Sequence, residues 1–218
     1  FDPRRRSDRF LKRPRRQVRG EAVRHQPYGL LLVRRQGSPA SGVTLTSSAF
    51  GGIVAYVIAT FVFYWWHRWR HEKDWLWRYF HQIHHSPQRL EVITSFYKHP
   101  GEMLVNSLIG SALVYALLGL SPEAGATYTL CTALGEFFYH TNVKTPRWVG
   151  FFFQRPEMHR IHHQHGRHKN NYGDITWWDM LFGTYENPEQ WTETCGFDDE
   201  KEQRLVDMLL YKDVHSDG

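Results

Sequence analysis

Cysteine is scarce in this 218-residue chain. Cys131 and Cys195 are the only two, they lie far apart, and no CxxC pair occurs. That argues against a structural zinc site, which usually takes four ligands with cysteine among them. The HExxH signature of zinc proteases is also missing. Mean hydropathy is negative, so composition alone gives no sign of a membrane protein. Acidic residues are scarce at one end only. Residues 1–42 carry twelve Lys/Arg against three Asp/Glu, leaving fifteen against nineteen in the rest. The basic character therefore belongs to the tail. No RNP, zinc-finger or helix-turn-helix pattern accompanies it, which weakens a nucleic-acid reading, and no nucleic-acid partner is expected.

Histidine is abundant. There are fourteen, and twelve fall between His67 and His168. Three groups stand out: His67-x-x-x-His71, His81-x-x-His84-His85 and His159-x-x-His162-His163, with His140 closing an apolar stretch. Spacings of three and four place side chains on one helix face, and neutral imidazole is the commonest metal ligand. Eight or nine convergent imidazoles are too many for one ion and suit two. A nearly all-imidazole dinuclear site with open positions fits iron doing oxygen chemistry, with zinc as the alternative. His25 and His215 are lone histidines and receive no role.

The apolar segments are uneven. Residues 43–66 hold no charge and would make about 36 Å of helix at 1.5 Å per residue. Residues 103–120 form a second run, about 27 Å long, close to the hydrocarbon thickness. Ser121-Pro122 reads as a tight turn, and a third run covers 124–139. Buried helices of a large soluble core are the other reading of these runs. If the hairpin crosses a membrane twice, His85 and His159 return to one face, where His67 also lies. Trp65, Trp66, Trp69, Trp75 and Trp77 then mark an interfacial aromatic belt, and Trp148 with Phe151-Phe152-Phe153 marks a segment lying in the interface.

These boxes, with Tyr139-His140-Thr141-Asn142, Asn171-Tyr172-Gly173-Asp174 and Trp178-Asp179-Met180-Leu181-Phe182-Gly183-Thr184-Tyr185, resemble the fatty acid hydroxylase/sterol desaturase superfamily of integral membrane di-iron enzymes. The likeness runs from about Phe61 to Glu189. It implies an all-α fold: an integral membrane helical bundle with a histidine-rich helical cap on the cytosolic face, in a bacterial inner membrane or the endoplasmic reticulum. It implies metal ligation by His67, His71, His81, His84, His85, His140, His159, His162 and His163. Two iron ions would be held, with zinc possible as purified, and O2 would be co-substrate. Some members carry a further histidine four residues after His140; here that position is Lys144. His165 and His168 are spare and are expected to be solvated. Glu136, Asp174 and Asp179 are expected as carboxylate acceptors behind the ligands.

The implied reaction is hydroxylation or desaturation of a lipid within the bilayer: a sterol, fatty acyl chain, sphingoid base or isoprenoid. His99-Pro100-Gly101 resembles part of a haem-binding motif, but a membrane segment follows at once. Electrons are therefore expected from a separate ferredoxin or cytochrome b-type donor with its reductase. Two other classes stay open: a zinc-dependent membrane hydrolase and a non-catalytic metal-binding protein. A hydrolase needs a carboxylate base, and the only one within the boxes, Glu72, adjoins His71 and points elsewhere. Expected organisation is a basic tail at 1–42, disordered or non-native, a membrane domain at 43–190 and a C-terminal tail at 191–218. The tail's charge sits on the wrong side for a single span before His67. That suggests a missing upstream span or a dispensable extension.

Overall fold

The computed structural model describes residues 42–190 and 194–215, with side chains from Ser47 onward. The basic tail expected over 1–42 lies outside the described residues except for Gly42. Among the described residues the structure is all-helical, apart from two isolated β-bridges, Phe153 with Ile175 and Gln164 with Cys195.

Helix α1 spans Gly42–Glu72 and continues six residues past the expected end at Trp66, so the first histidine box rides on its last turns. Its Ser47–Glu72 portion is long and apolar enough to cross a membrane, and only a third of the most apolar stretch is buried. Two short helices, α2 (Asp74–Leu76) and α3 (Gln82–His85), flank a π-helical turn at Trp77–His81. Helix α4 covers Pro100–Ser111 and runs into a second π-helical turn, Ala112–Leu117. It starts earlier than the expected 103 because the His99 ring accepts the Gly101 amide at 2.9 Å and Pro100 takes the first turn. It ends earlier than 120 because Gly119 adopts φ +60°. Ser121 then caps α5, Pro122–Tyr139, accepting the Ala124 amide. The Ser-Pro turn is where the sequence placed it.

Close packing joins α1 to α5. Gly52, Ala55 and Ala59 recur at helical spacing and present a small-residue face, which lets backbones approach. A methyl on Gly52 would fall 2.5 Å from both the Ala124 carbonyl and the Thr127 Cβ. Ala55, Tyr56, Ala59, Leu113, Val114, Tyr128 and Ile175 form the core between these helices. The opposite surfaces are apolar and bare: Phe50, Leu104, Leu108, Leu117, Leu130 and Leu134 are all more than half exposed.

The remaining helices form a cap. These are α6 (Pro156–His162), α7 (Trp177–Leu181), α8 (Asp199–Glu202) and α9 (Leu205–Leu209). Trp178 packs edge-on against Phe61, and Phe182 stacks on Tyr64, so α7 lies beside the second half of α1. Trp148, Phe151, Phe152, Phe153, Trp177 and Leu181 are exposed around this region. Of the tryptophans expected in an aromatic belt, Trp69 and Trp75 are exposed and Trp65 and Trp66 half-buried. Trp77 is not part of a belt: it packs on His71 and His85 at 5.2 and 5.1 Å. Residues 194–215 fold under α3. Phe197, Met208 and Val214 bury against Ile83, and the Gln82 side chain donates to the Lys212 carbonyl.

The α1–α5 contact yields a stability test. Gly52→Ala is expected to cost about 1–3 kcal/mol through overpacking. Gly51→Ala, whose methyl would meet neighbours at an ordinary 3.6 and 3.8 Å, should be neutral or gain up to about 1 kcal/mol of helix propensity. Thermal midpoints in detergent compare the two; equal midpoints would show that the helices do not pack this closely.

Candidate metal centre

Four separate parts of the chain deliver imidazoles to one place. His67 and His71 come from the end of α1, and His81, His84 and His85 from the π-helical turn and α3. His140 caps α5, and His159, His162 and His163 come from α6 and its C-cap. The hairpin of α4 and α5 starts and finishes at the same end, which is how boxes far apart in sequence meet. The nine rings fall into two groups, within each of which the ligand atoms lie within 4.8 Å of one another. One holds His67, His71, His81, His85 and His162, the other His84, His140, His159 and His163. Seven of the nine are buried; His67 and His71 are half-buried.

Two observations bear on whether these groups fit metal. First, nitrogens on opposing rings face each other directly. His81 and His85 approach Nε2 to Nε2 at 3.2 Å, and His140 and His159 at 3.1 Å. An imidazole–metal bond of about 2.1 Å puts neighbouring ligand atoms at roughly this separation. Second, buried nitrogens are left without hydrogen-bond partners: Nε2 of His67, His71 and His162, Nδ1 of His84 and His159, and both of His163. Buried polar atoms are normally satisfied, and a metal ion would supply a partner for the nitrogens that point into each group. Burial, aided by the neighbouring imidazoles, holds His84, His85, His159 and His163 well below the ordinary histidine pKa. It takes His140 to about 4 and His162 to about 3. Burial thus favours the neutral form of these six rings, the form in which imidazole ligates.

The outward nitrogens are held by the chain. His67 Nδ1 donates to the Tyr172 carbonyl at 2.8 Å, His140 Nδ1 to the Glu136 carbonyl at 2.7 Å, and His162 Nδ1 to the Asn170 carbonyl at 2.7 Å. Such bonds fix the tautomer and leave Nε2 for the metal. The carboxylates singled out from the sequence act less directly. Glu136 serves His140 through its main chain, while its side chain pairs with Lys98. Asp179 touches no imidazole. It accepts the amides of Tyr172 and Gly173 and the Thr184 hydroxyl, at 2.7–2.9 Å, and so shapes the loop whose carbonyls hold His67 and His162. Burial lifts it to about 7 against those hydrogen bonds. Asp174, also lifted to about 7 by burial, bonds the Tyr139 hydroxyl, and that ring lies against His140 and His159.

Two residues escaped the sequence reading. Glu102 is fully buried and meets His81 Nδ1 at 3.2 Å, and Arg70, also buried, pairs with Glu102. The only hint was a pair of charges at the margins of apolar segments. His168 is a correction. It is not solvated but half-buried, with Nδ1 3.2 Å from His85 Nδ1. His165 is exposed, facing Asp198. His99 is spent on the α4 cap. A cavity of about 540 Å³ between α1, α4 and α5 reaches from Gly110 and Tyr128, past Thr60 and Tyr139, to His67.

The family model for fatty acid hydroxylase matches residues 52–184. Among curated relatives, the sphingolipid C4-hydroxylase of Schizosaccharomyces pombe is 27% identical over 179 residues, covering 80% of this chain and 61% of that protein. The ornithine lipid hydroxylase of Rhizobium tropici is 35% identical over 150 residues, 67% of this chain and 45% of its own length. The human alkylglycerol monooxygenase is 29% identical over 136 residues, 61% of this chain and 30% of its own. The chain thus spans between under a third and about three-fifths of these relatives. No solved structure matches. With its family segment covering more than half the chain and every histidine box inside it, this protein belongs to the fatty acid hydroxylase family.

Proposed function

We propose that the chain is the metal-bearing part of a membrane-bound oxidoreductase that hydroxylates or desaturates a lipid with O2. The observation that carries this is the convergence of nine imidazoles in two groups, within each of which the ligand atoms lie within 4.8 Å of one another, with Nε2 of His67, His71 and His162 unpartnered. His67, His71, His81, His85 and His162 would hold one iron, and His84, His140, His159 and His163 the other. The bound irons would supply oxygen activation, chemistry that side chains alone cannot perform. The four-ligand group would offer one imidazole fewer than the other, and Lys144 supplies none to complete it.

The chain's own residues do the rest. The cavity that ends at His67 brings a bilayer lipid to the site, and placement within about an ångström selects the bond attacked. The relatives' names favour a polar lipid, of the sphingolipid, ornithine-lipid or alkylglycerol kind. The bare apolar faces of α1, α4 and α5 suit hydrocarbon, and unpaired apolar area on this scale is rare in water. The cap would then sit on the cytosolic face of a bacterial inner membrane or the endoplasmic reticulum, with Trp148, Phe151–Phe153 and Trp177 in the interface. His99 is occupied as a helix cap, and electrons would come from a ferredoxin or cytochrome b-type donor. A zinc hydrolase is disfavoured. Among the described residues Glu72 pairs with Arg68, Glu102 with Arg70, Glu136 with Lys98, Asp179 with main-chain amides and Asp174 with the Tyr139 hydroxyl, so each of these carboxylates is already engaged.

His84→Ala and His163→Ala are expected to drop metal content from two ions per chain to one or none and turnover to background. Metal analysis of iron-supplied protein, with lipid profiling of cells expressing it, reads both; full metal and turnover in both variants would sink the assignment. Glu102→Ala strands a buried guanidinium and should cost about 3–5 kcal/mol. Glu102→Gln should fold but hold metal about 10–100-fold more weakly. Chemical denaturation and chelator competition separate these effects. For topology, single cysteines at Arg89, Lys169 and Glu123, in a Cys131→Ala/Cys195→Ala background, are probed with an impermeant maleimide on sealed vesicles. Arg89 and Lys169 should label from one side and Glu123 from the other; identical sidedness at all three rules out the two-pass hairpin.

A further inference from the structure

We propose that His168 is a positioning residue that holds two ligands of the five-histidine group at once, an inference that rests on the metal reading above. Its side chain and its main chain each face a different imidazole. The Nδ1 of His168 lies 3.2 Å from Nδ1 of His85, whose Nε2 faces His81 at 3.2 Å inside the group. With Nε2 turned inward as a ligand atom, the His85 proton sits on Nδ1, and His168 Nδ1 accepts it. The backbone carbonyl of His168 accepts a hydrogen bond from His71, and the Nε2 of His71 is the nitrogen left unpartnered. One residue therefore orients two rings and sets the tautomer of both.

The local backbone fits this role and not that of a solvated loop residue. His168 has φ +43°, followed by Asn170 at +68° and Asn171 at +51°. Left-handed conformations cost a non-glycine residue free energy, and they persist where the surroundings impose them. Asn171 imposes them here. Its side chain is fully buried, donates to the Met158 and Glu186 carbonyls, and accepts the Glu186 amide. This anchors the turn to α6, and the carbonyls of 168 and 170 emerge aimed at His71 and His162 respectively. Trp77 and Phe197 pack on the His168 ring at 5.5 and 5.4 Å and hold it against His85.

Two substitutions isolate the side chain from the backbone. His168→Gly tolerates the positive φ and keeps the carbonyl to His71, but removes the acceptor for His85. His168→Asn also tolerates this φ, and its Oδ1 occupies the position of the imidazole Nδ1, so the acceptor is restored. Full-length protein is purified in detergent, loaded with iron or cobalt(II), and titrated with a chelator. Cobalt absorption reports ligand geometry, and thermal midpoints confirm folding. The expected result is that His168→Gly folds but releases one of two ions about 10–100-fold more readily, with an altered cobalt spectrum, while His168→Asn stays near wild type. Wild-type metal retention in His168→Gly overturns the inference and leaves the metal reading standing. Equal weakening in both variants also overturns it, because the acceptor is then not what matters. A wild-type protein that binds no metal overturns the inference together with the reading it rests on.

Discussion

A buried imidazole has two ring nitrogens, and both need partners. Nine such rings, mostly sealed from solvent, set the constraint from which the rest of the cap follows. An unsatisfied buried polar group costs roughly 1–3 kcal/mol, so a metal-free cluster of this kind would be hard to fold without compensation on one side. The chain compensates on the outer side. Main-chain carbonyls of Glu136, Asn170 and Tyr172 take three rings, and the Arg70–Glu102 pair meets Nδ1 of a fourth, His81. Asp179 and Asn171 reach no imidazole, yet they hold the loop that does.

The same constraint explains the ion pair at Arg70 and Glu102. A lone carboxylate behind His81 would be a buried charge without a partner, and burial of that kind is expensive. Arg70 stands one residue before His71 on α1, so the helix that delivers the first box also delivers the counter-charge. Neutral rings inside, with a neutralised pair outside, keep the net charge of the buried region low.

The legible parts of this architecture were local. HxxxH and HxxHH are readable because helical spacing converts sequence intervals into shared faces, and Ser121-Pro122 is readable because few other dipeptides start a helix so well. All nine histidines singled out from the sequence lie in the two clusters. What stayed hidden depends on contacts without a local signal. Glu102 lies 32 positions from Arg70. Main-chain acceptors at 136, 170 and 172 carry no residue identity, so carboxylates were named where carbonyls serve. His168 looked like a spare because its role comes from an unusual φ, and a histidine does not advertise one. Residues 194–215 have no strong period, yet Phe197, Met208 and Val214 complete the floor beneath α3.

One helix links the interior of the bundle to the site. Helix α1 is unbroken from Gly42 to Glu72, and Tyr56, Thr60 and His67 all line the same cavity along it. Thr60 and His67 are therefore spaced by helical rise, about 10 Å apart along the axis. No hinge lies between them. The helix would act as a ruler for the lipid proposed above: each turn along this wall is a step of about 5.4 Å, so the depth of entry would set which carbon stands beside the first box.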